Sequence, residues 1–217
     1  MKKYSIFIIA MMLISLMTQA SNEAYEKAMR KELQQMKVAK SPDDFKKVAN
    51  GFSRISEMVP EEWLPDYYAG LALVNAGFRS QGRLEEKDAF FTQAKKLTDK
   101  AAEKSPNNSE IVALQGYITM GELSADPNSR GQHLSGVAMQ FFGKAVDLNR
   151  QNPRAIMMLG QMELGMAQFF GQEPGKACGL ISASLKLFEK EENTKEEDTL
   201  LPTWGKEMAL QIKESCQ

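Results

Sequence analysis

The residues that bind metals tightly are scarce in this chain. Its 217 residues include one histidine, His133, and two cysteines, Cys178 and Cys216. Structural zinc needs four nitrogen or sulfur ligands, so such a site is excluded. Charge of one sign is also lacking, with 27 basic against 28 acidic residues. No basic stretch is dense enough to track a phosphate backbone, and a nucleic-acid partner is not expected. There is no glycine-rich phosphate loop, no Gly-x-Ser-x-Gly elbow and no paired-histidine motif. No stretch alternates apolar and polar residues between hairpin turns, which leaves an all-α chain.

A short, uncharged apolar run, Phe7 to Met17, follows Lys2 and Lys3 and precedes Thr18-Gln19-Ala20. A basic start, a short apolar run and small residues at a cleavage triplet make a secretory signal peptide over residues 1–20. The run is shorter than the roughly 20 residues that cross a bilayer. No cysteine follows Ala20, so a lipoprotein signal is not expected. The expected location is periplasmic or secreted, without stable membrane insertion after cleavage. Removal leaves 25 basic and 28 acidic residues on a single domain, 21–217.

Helical spacing covers most of the remainder. A charged helix from Asn22 to Lys40 is followed by Ser41-Pro42-Asp43-Asp44. That is a helix start: a capping serine, proline in the first turn, and acids at the positive end of the dipole. Phe45, Val48, Phe52 and Ile55 then recur on one face, giving a helical pair over 22–59. Three further units begin near residues 63, 109 and 153. A capping helix is expected over 203–215. The segment Ala125 to Gly131 reads as a loop, and Glu189 to Asp198 as a solvated charged stretch.

The units share a pattern of small residues. Gly70, Gly116 and Gly160 lie 46 and 44 residues apart. Behind them come Ala94-Thr98-Ala101, Ala138-Phe142-Ala145 and Ala177-Ile181-Ser184. Glycine costs about 1 kcal/mol in a helix interior, so three at matching places imply close packing against the next helix. Leu159-Gly160, Ala138-Phe142-Ala145 and Pro106-Asn107-Asn108 resemble the tetratricopeptide repeat. Here the period is near 45 rather than about 34, with the excess expected between the helices of each pair. The runs DPNSRGQ, NPRAIMMLGQ and LPTWGKE are similar to a group of exported bacterial proteins of this type. The resemblance implies a TPR-like α-solenoid of stacked antiparallel helix pairs, closed by the C-terminal helix.

The same resemblance implies a scaffold that binds a protein or peptide on its concave face. Carried over position by position, that face holds Tyr67, Leu71, Ala113, Tyr117, Met120, Arg154, Met157 and Gln161. The alternative is a small-ligand carrier with the Ala125–Gly131 loop as its lid. No cofactor and no enzymatic activity are expected; Asp66 and Glu163 are the acids an unrecognised enzyme could use. Met158, Met162 and Met166 share one helical face, where thioethers fill irregular space or bind Cu(I); packing is the expected role. Cys178 and Cys216 fall at the same end of two helices if these run antiparallel. They form either a disulfide or free thiols.

Overall fold

The computed structural model of the protein describes residues 22–196 and 199–216. The expected signal peptide lies outside these residues. Nine helices and no strands occur among the described residues: α1 (22–38), α2 (Pro42–Met58), α3 (Leu64–Arg79), α4 (Leu84–Lys104), α5 (Ser109–Ala125), α6 (Pro127–Leu148), α7 (Pro153–Phe170), α8 (Gly175–Thr194) and α9 (Lys206–Glu214). None is long and apolar enough to cross a membrane.

Two kinds of helix make two layers. α3, α5 and α7 are apolar almost all round, and each buries ten or more residues. A helix of that kind must be enclosed. α5 is enclosed, packing against α3, α4, α6 and α7. α4, α6 and α8 bury only a thin stripe, three or four residues each. They form the outer layer, with charged faces toward solvent.

The stripe is the small-large-small pattern of the sequence. Ala94, Thr98, Ala101, Ala138, Phe142, Ala145, Ala177, Ile181 and Ser184 are all buried. A Cβ on Gly70 would lie 2.5 Å from Thr98 Oγ1, one on Gly116 2.5 Å from the Phe142 ring, and one on Gly160 2.8 Å from Ile181 Cδ1. Each glycine thus faces the middle residue of the stripe in the paired helix. The repeat is real, and close approach is its cause.

Local signals hold the ends. Ser41 and Asp44 form a reciprocal capping box at the start of α2. Asn108 caps α5, and Asn152 accepts from the amides of Arg154 and Ala155 at the start of α7. Asn107 adopts φ 58° in the turn before α5, a conformation asparagine tolerates better than most residues.

Four expectations need correction. The Ala125–Gly131 loop is absent: α5 ends at Ala125, Asp126 caps α6, and Pro127 opens it. An Asp-Pro pair at that place starts a helix. The long period therefore comes from helix length, with α4, α6 and α8 running 20–22 residues, not from long connections. The charged stretch after Glu189 continues α8 to Thr194, while Glu197 and Asp198 lie outside the described residues. The capping helix expected over 203–215 spans only Lys206–Glu214, so Trp204 precedes it.

Candidate functional site

The predicted docking face is occupied by the chain itself. Tyr67, Leu71, Ala113, Tyr117, Arg154 and Met157 are buried. Trp204 stacks on Tyr117 at 5.8 Å between ring centres and donates its indole N–H to Tyr67 Oη at 2.9 Å. Tyr68 donates to the Leu200 carbonyl at 2.8 Å. The Arg154 guanidinium binds Glu110 at 2.8 Å and Glu191 at 2.6 Å, and also reaches the Trp204 carbonyl. Burial pushes the Glu110 carboxyl up, against the pull of Arg154. Burial likewise raises the Tyr117 phenol to about 12. An open solenoid would expose these positions. Here Trp204 and Gly205 lie against Tyr67, Tyr117, Arg154 and Met157, and Leu71 and Ala113 are buried between the helices, so these positions are not a free docking surface.

Gly205 shows why that segment fits. Its φ is 111°, and a Cβ there would lie 2.8 Å from the Phe188 ring. Only glycine turns the chain at that point from the partly buried Trp204 into α9.

Met120 and Gln161, the remaining two predicted positions, line a cavity of about 960 Å³. Its walls are the C-terminal parts of α5 and α7, the first half of α6, and the Ile212 side of α9. Drug-sized ligands occupy pockets of about 300–1,000 Å³. Apolar groups dominate: Met120, Met162, Met166, Leu123 and Leu164, with Phe169 and Phe170 at 83% and 65% exposure. The polar groups are neutral, among them Gln132, Ser135 and Gln161. The described lining includes no charged, histidine, tyrosine or cysteine side chain.

The cavity has a local cause. In the preceding repeat the Phe91 ring from α4 fills the space over Gly121 of α5, 2.3 Å from where a Cβ would sit. The stripe repeats every 44 residues here, from Ala94 to Ala138. Advancing by that step replaces Phe91 with Ser135 and Gly121 with Gly165. Ser135 brings no ring, Gly165 has nothing within 4 Å of its Cβ position, and both line the cavity.

The fold is similar to the HusA haemophore from Porphyromonas gingivalis. The TM-score is 0.77 at 25% identity, over 89% of this chain and 92% of that one. No family model and no curated protein matches the sequence. The solved haemophore therefore supports a helical-repeat fold for this chain.

Other singled-out residues fall elsewhere. Cys178 and Cys216 are disulfide-bonded. His133 is exposed beside a smaller cleft of about 400 Å³, shared with Asp88, Glu122 and Arg130. There Arg130 grips Asp88 with two hydrogen bonds of 2.6 and 2.7 Å. Asp66 is paired with Lys104, and Glu163 with Lys176, both at 2.5 Å; the two acids do not converge. Met158 and Met162 belong to the core, and Met162 and Met166 line the cavity. Among the described residues no three His, Cys, Asp or Glu side chains gather to hold a metal. From sequence a pocket beside Ala125–Gly131 is only the alternative reading, and Pro127, Asn128 and Gly131 do line the cavity. Its cause goes unread because the signal is a phenylalanine replaced by serine one repeat later.

Proposed function

We propose that this protein is an exported carrier of a flat, largely apolar small molecule, with haem or a related tetrapyrrole as the cargo. The observation that carries this reading is the cavity left where Ser135 replaces the Phe91 wedge. Its size suits a drug-sized ligand, its walls are apolar with exposed aromatic rings at the rim, and its polar groups are neutral. The likeness to a haemophore over nine-tenths of both chains supports the cargo class. It also supports export, in agreement with the signal-peptide reading of residues 1–20. The repeat itself we read as a tetratricopeptide-type hairpin with lengthened helices. The peptide-scaffold reading has no open inner face to rest on.

Cargo would be held by its faces. Phe169 and Phe170 can stack on a conjugated ring, and Met120, Met162 and Met166 adapt to its outline. A cargo's carboxylates would point to water, because the described lining offers them no cation. Thioether sulfurs are the only soft donors in the lining, so iron adds little to affinity. Metal-free protoporphyrin IX should bind about as well as haemin.

The test is to titrate both porphyrins into the mature protein and into Ser135→Phe. A phenylalanine there restores the missing wedge. Loss of an apolar site of this size weakens binding by about tenfold or more. Helicity should be retained and the unfolding midpoint unchanged or higher. Gly165→Leu fills the same space from α7 and serves if the first variant misfolds. Undiminished affinity in a folded, filled variant, or no binding by the wild type, overturns the proposal.

A further inference from the structure

We infer that the Cys178–Cys216 disulfide is a latch on the cavity wall, and that a dithiol reductant opens it. This rests on the carrier reading of the same cavity. Ile212 and Ser215, on α9 and just beyond it, line the cavity. α9 spans nine residues and buries fully only Ala209. A helix that short does not persist by itself in water. Its docking must therefore come from tertiary ties.

Those ties are few and unequal. Upstream, the chain is pinned by Trp204 in the inner layer and turns at Gly205. The Lys206–Glu192 pair is exposed, and such pairs contribute little. Downstream, Lys213 donates one hydrogen bond to Ser182 Oγ at 2.8 Å. The covalent tie to α8 at Cys178 comes next. Met208 and Ile212 pack only partly buried against the core. With the disulfide cut, α9 becomes a flap hinged at Gly205, and Ile212 leaves the wall.

Both cysteines are half-buried, not sealed in the core, so the bond is within reach of exchange. A thiolate of the reductant attacks Cys216 Sγ. The S–S bond breaks, and Cys178 leaves as a thiolate that takes up a proton. The second thiol of the reductant displaces Cys216 Sγ from the mixed disulfide, and that sulfur is protonated in turn. The reductant ends as a disulfide and the protein as two thiols. Cargo is retained under oxidising conditions and released where a dithiol partner acts.

The experiment compares oxidised protein, dithiothreitol-reduced protein and the Cys178→Ser/Cys216→Ser variant. Amide hydrogen exchange and protoporphyrin IX affinity are read on each, with reduction verified by mass. Exchange should accelerate across 206–216 and stay unchanged in α3 to α6. Porphyrin affinity should fall by about tenfold, mostly through faster release. Unchanged exchange in 206–216 overturns the latch. So does loss of protection throughout the chain, or faster α9 exchange with affinity unaltered. If the oxidised protein binds no porphyrin, the carrier reading fails, and the exchange measurement alone decides whether α9 is released.

Discussion

A methyl group added at Gly116 would sit 2.5 Å from the Phe142 ring. That ring is completely buried between α5 and α6 and cannot yield. Gly116→Ala should cost about 1–3 kcal/mol, the usual range for overpacking. Gly143, inside α6, has nothing within 4 Å of its Cβ position. Gly143→Ala should stabilise by up to about 1 kcal/mol, since alanine is the better helix former. Urea unfolding of the two variants checks both signs. Tyr117 reverses an expectation at this scale. As a groove residue, its truncation would have weakened partner capture and left the fold intact. It is instead stacked between Phe78 and Trp204. Tyr117→Ala should cost about 3–5 kcal/mol, as large core truncations do. The glycine-to-stripe contacts were readable because spacing alone places them. Tyr117 was misread because burial by a segment some 85 positions away leaves no periodic trace.

Between elements, the Asp88–Arg130 pair ties α4 to α6. Hydrogen bonds from Arg130 hold the Asp88 carboxyl below the usual carboxylate range. A depressed carboxylate stabilises the fold above its unfolded pKa of about 3.9, and that increment is lost as pH falls through the lower folded value. Asp88→Asn should therefore be less stable than wild type at neutral pH. The two should converge on acidification below about pH 4. The pair is partly exposed, so the difference is small; chemical unfolding across pH measures it. The α5–α6 junction carries a similar lesson. Asp126, Pro127 and the residues after them were read as turn formers. In context they cap and open α6, and Asp126→Ala should lose about 1 kcal/mol. Composition cannot separate a loop from a well-capped helix start when the same residue types serve both.

Across the whole molecule, residues 199–205 close the inner layer. Arg154 is the centre of that closure, with its side chain 4% exposed between Glu110 and Glu191. Arg154→Met would leave both carboxylates without their cation. Breaking a buried pair in this way costs about 3–5 kcal/mol. Tryptophan emission should shift to the red as Trp204 loosens, and the unfolding midpoint should fall. Restored stability in a variant that also carries Glu110→Gln and Glu191→Gln would locate the penalty in the stranded charges. The same closure covers part of the surface a peptide-binding solenoid would use and leaves the α5–α6–α7–α9 cavity as an accessible apolar site.

Chain order and side-chain size were enough to establish an all-helical array with three matched glycines, because neighbouring helices meet through local periodicity. The capping residues of α2 were within reach for the same reason, whereas helix lengths left Cys178 and Cys216 either paired or free, and the packing of α9 on α8 decided for the disulfide. Tertiary structure alone decided that the C-terminal segment covers the inner face, and that a cavity opens beside Ser135. Both outcomes depend on which distant residues fill a given volume, and no short-range pattern encodes a volume left unfilled.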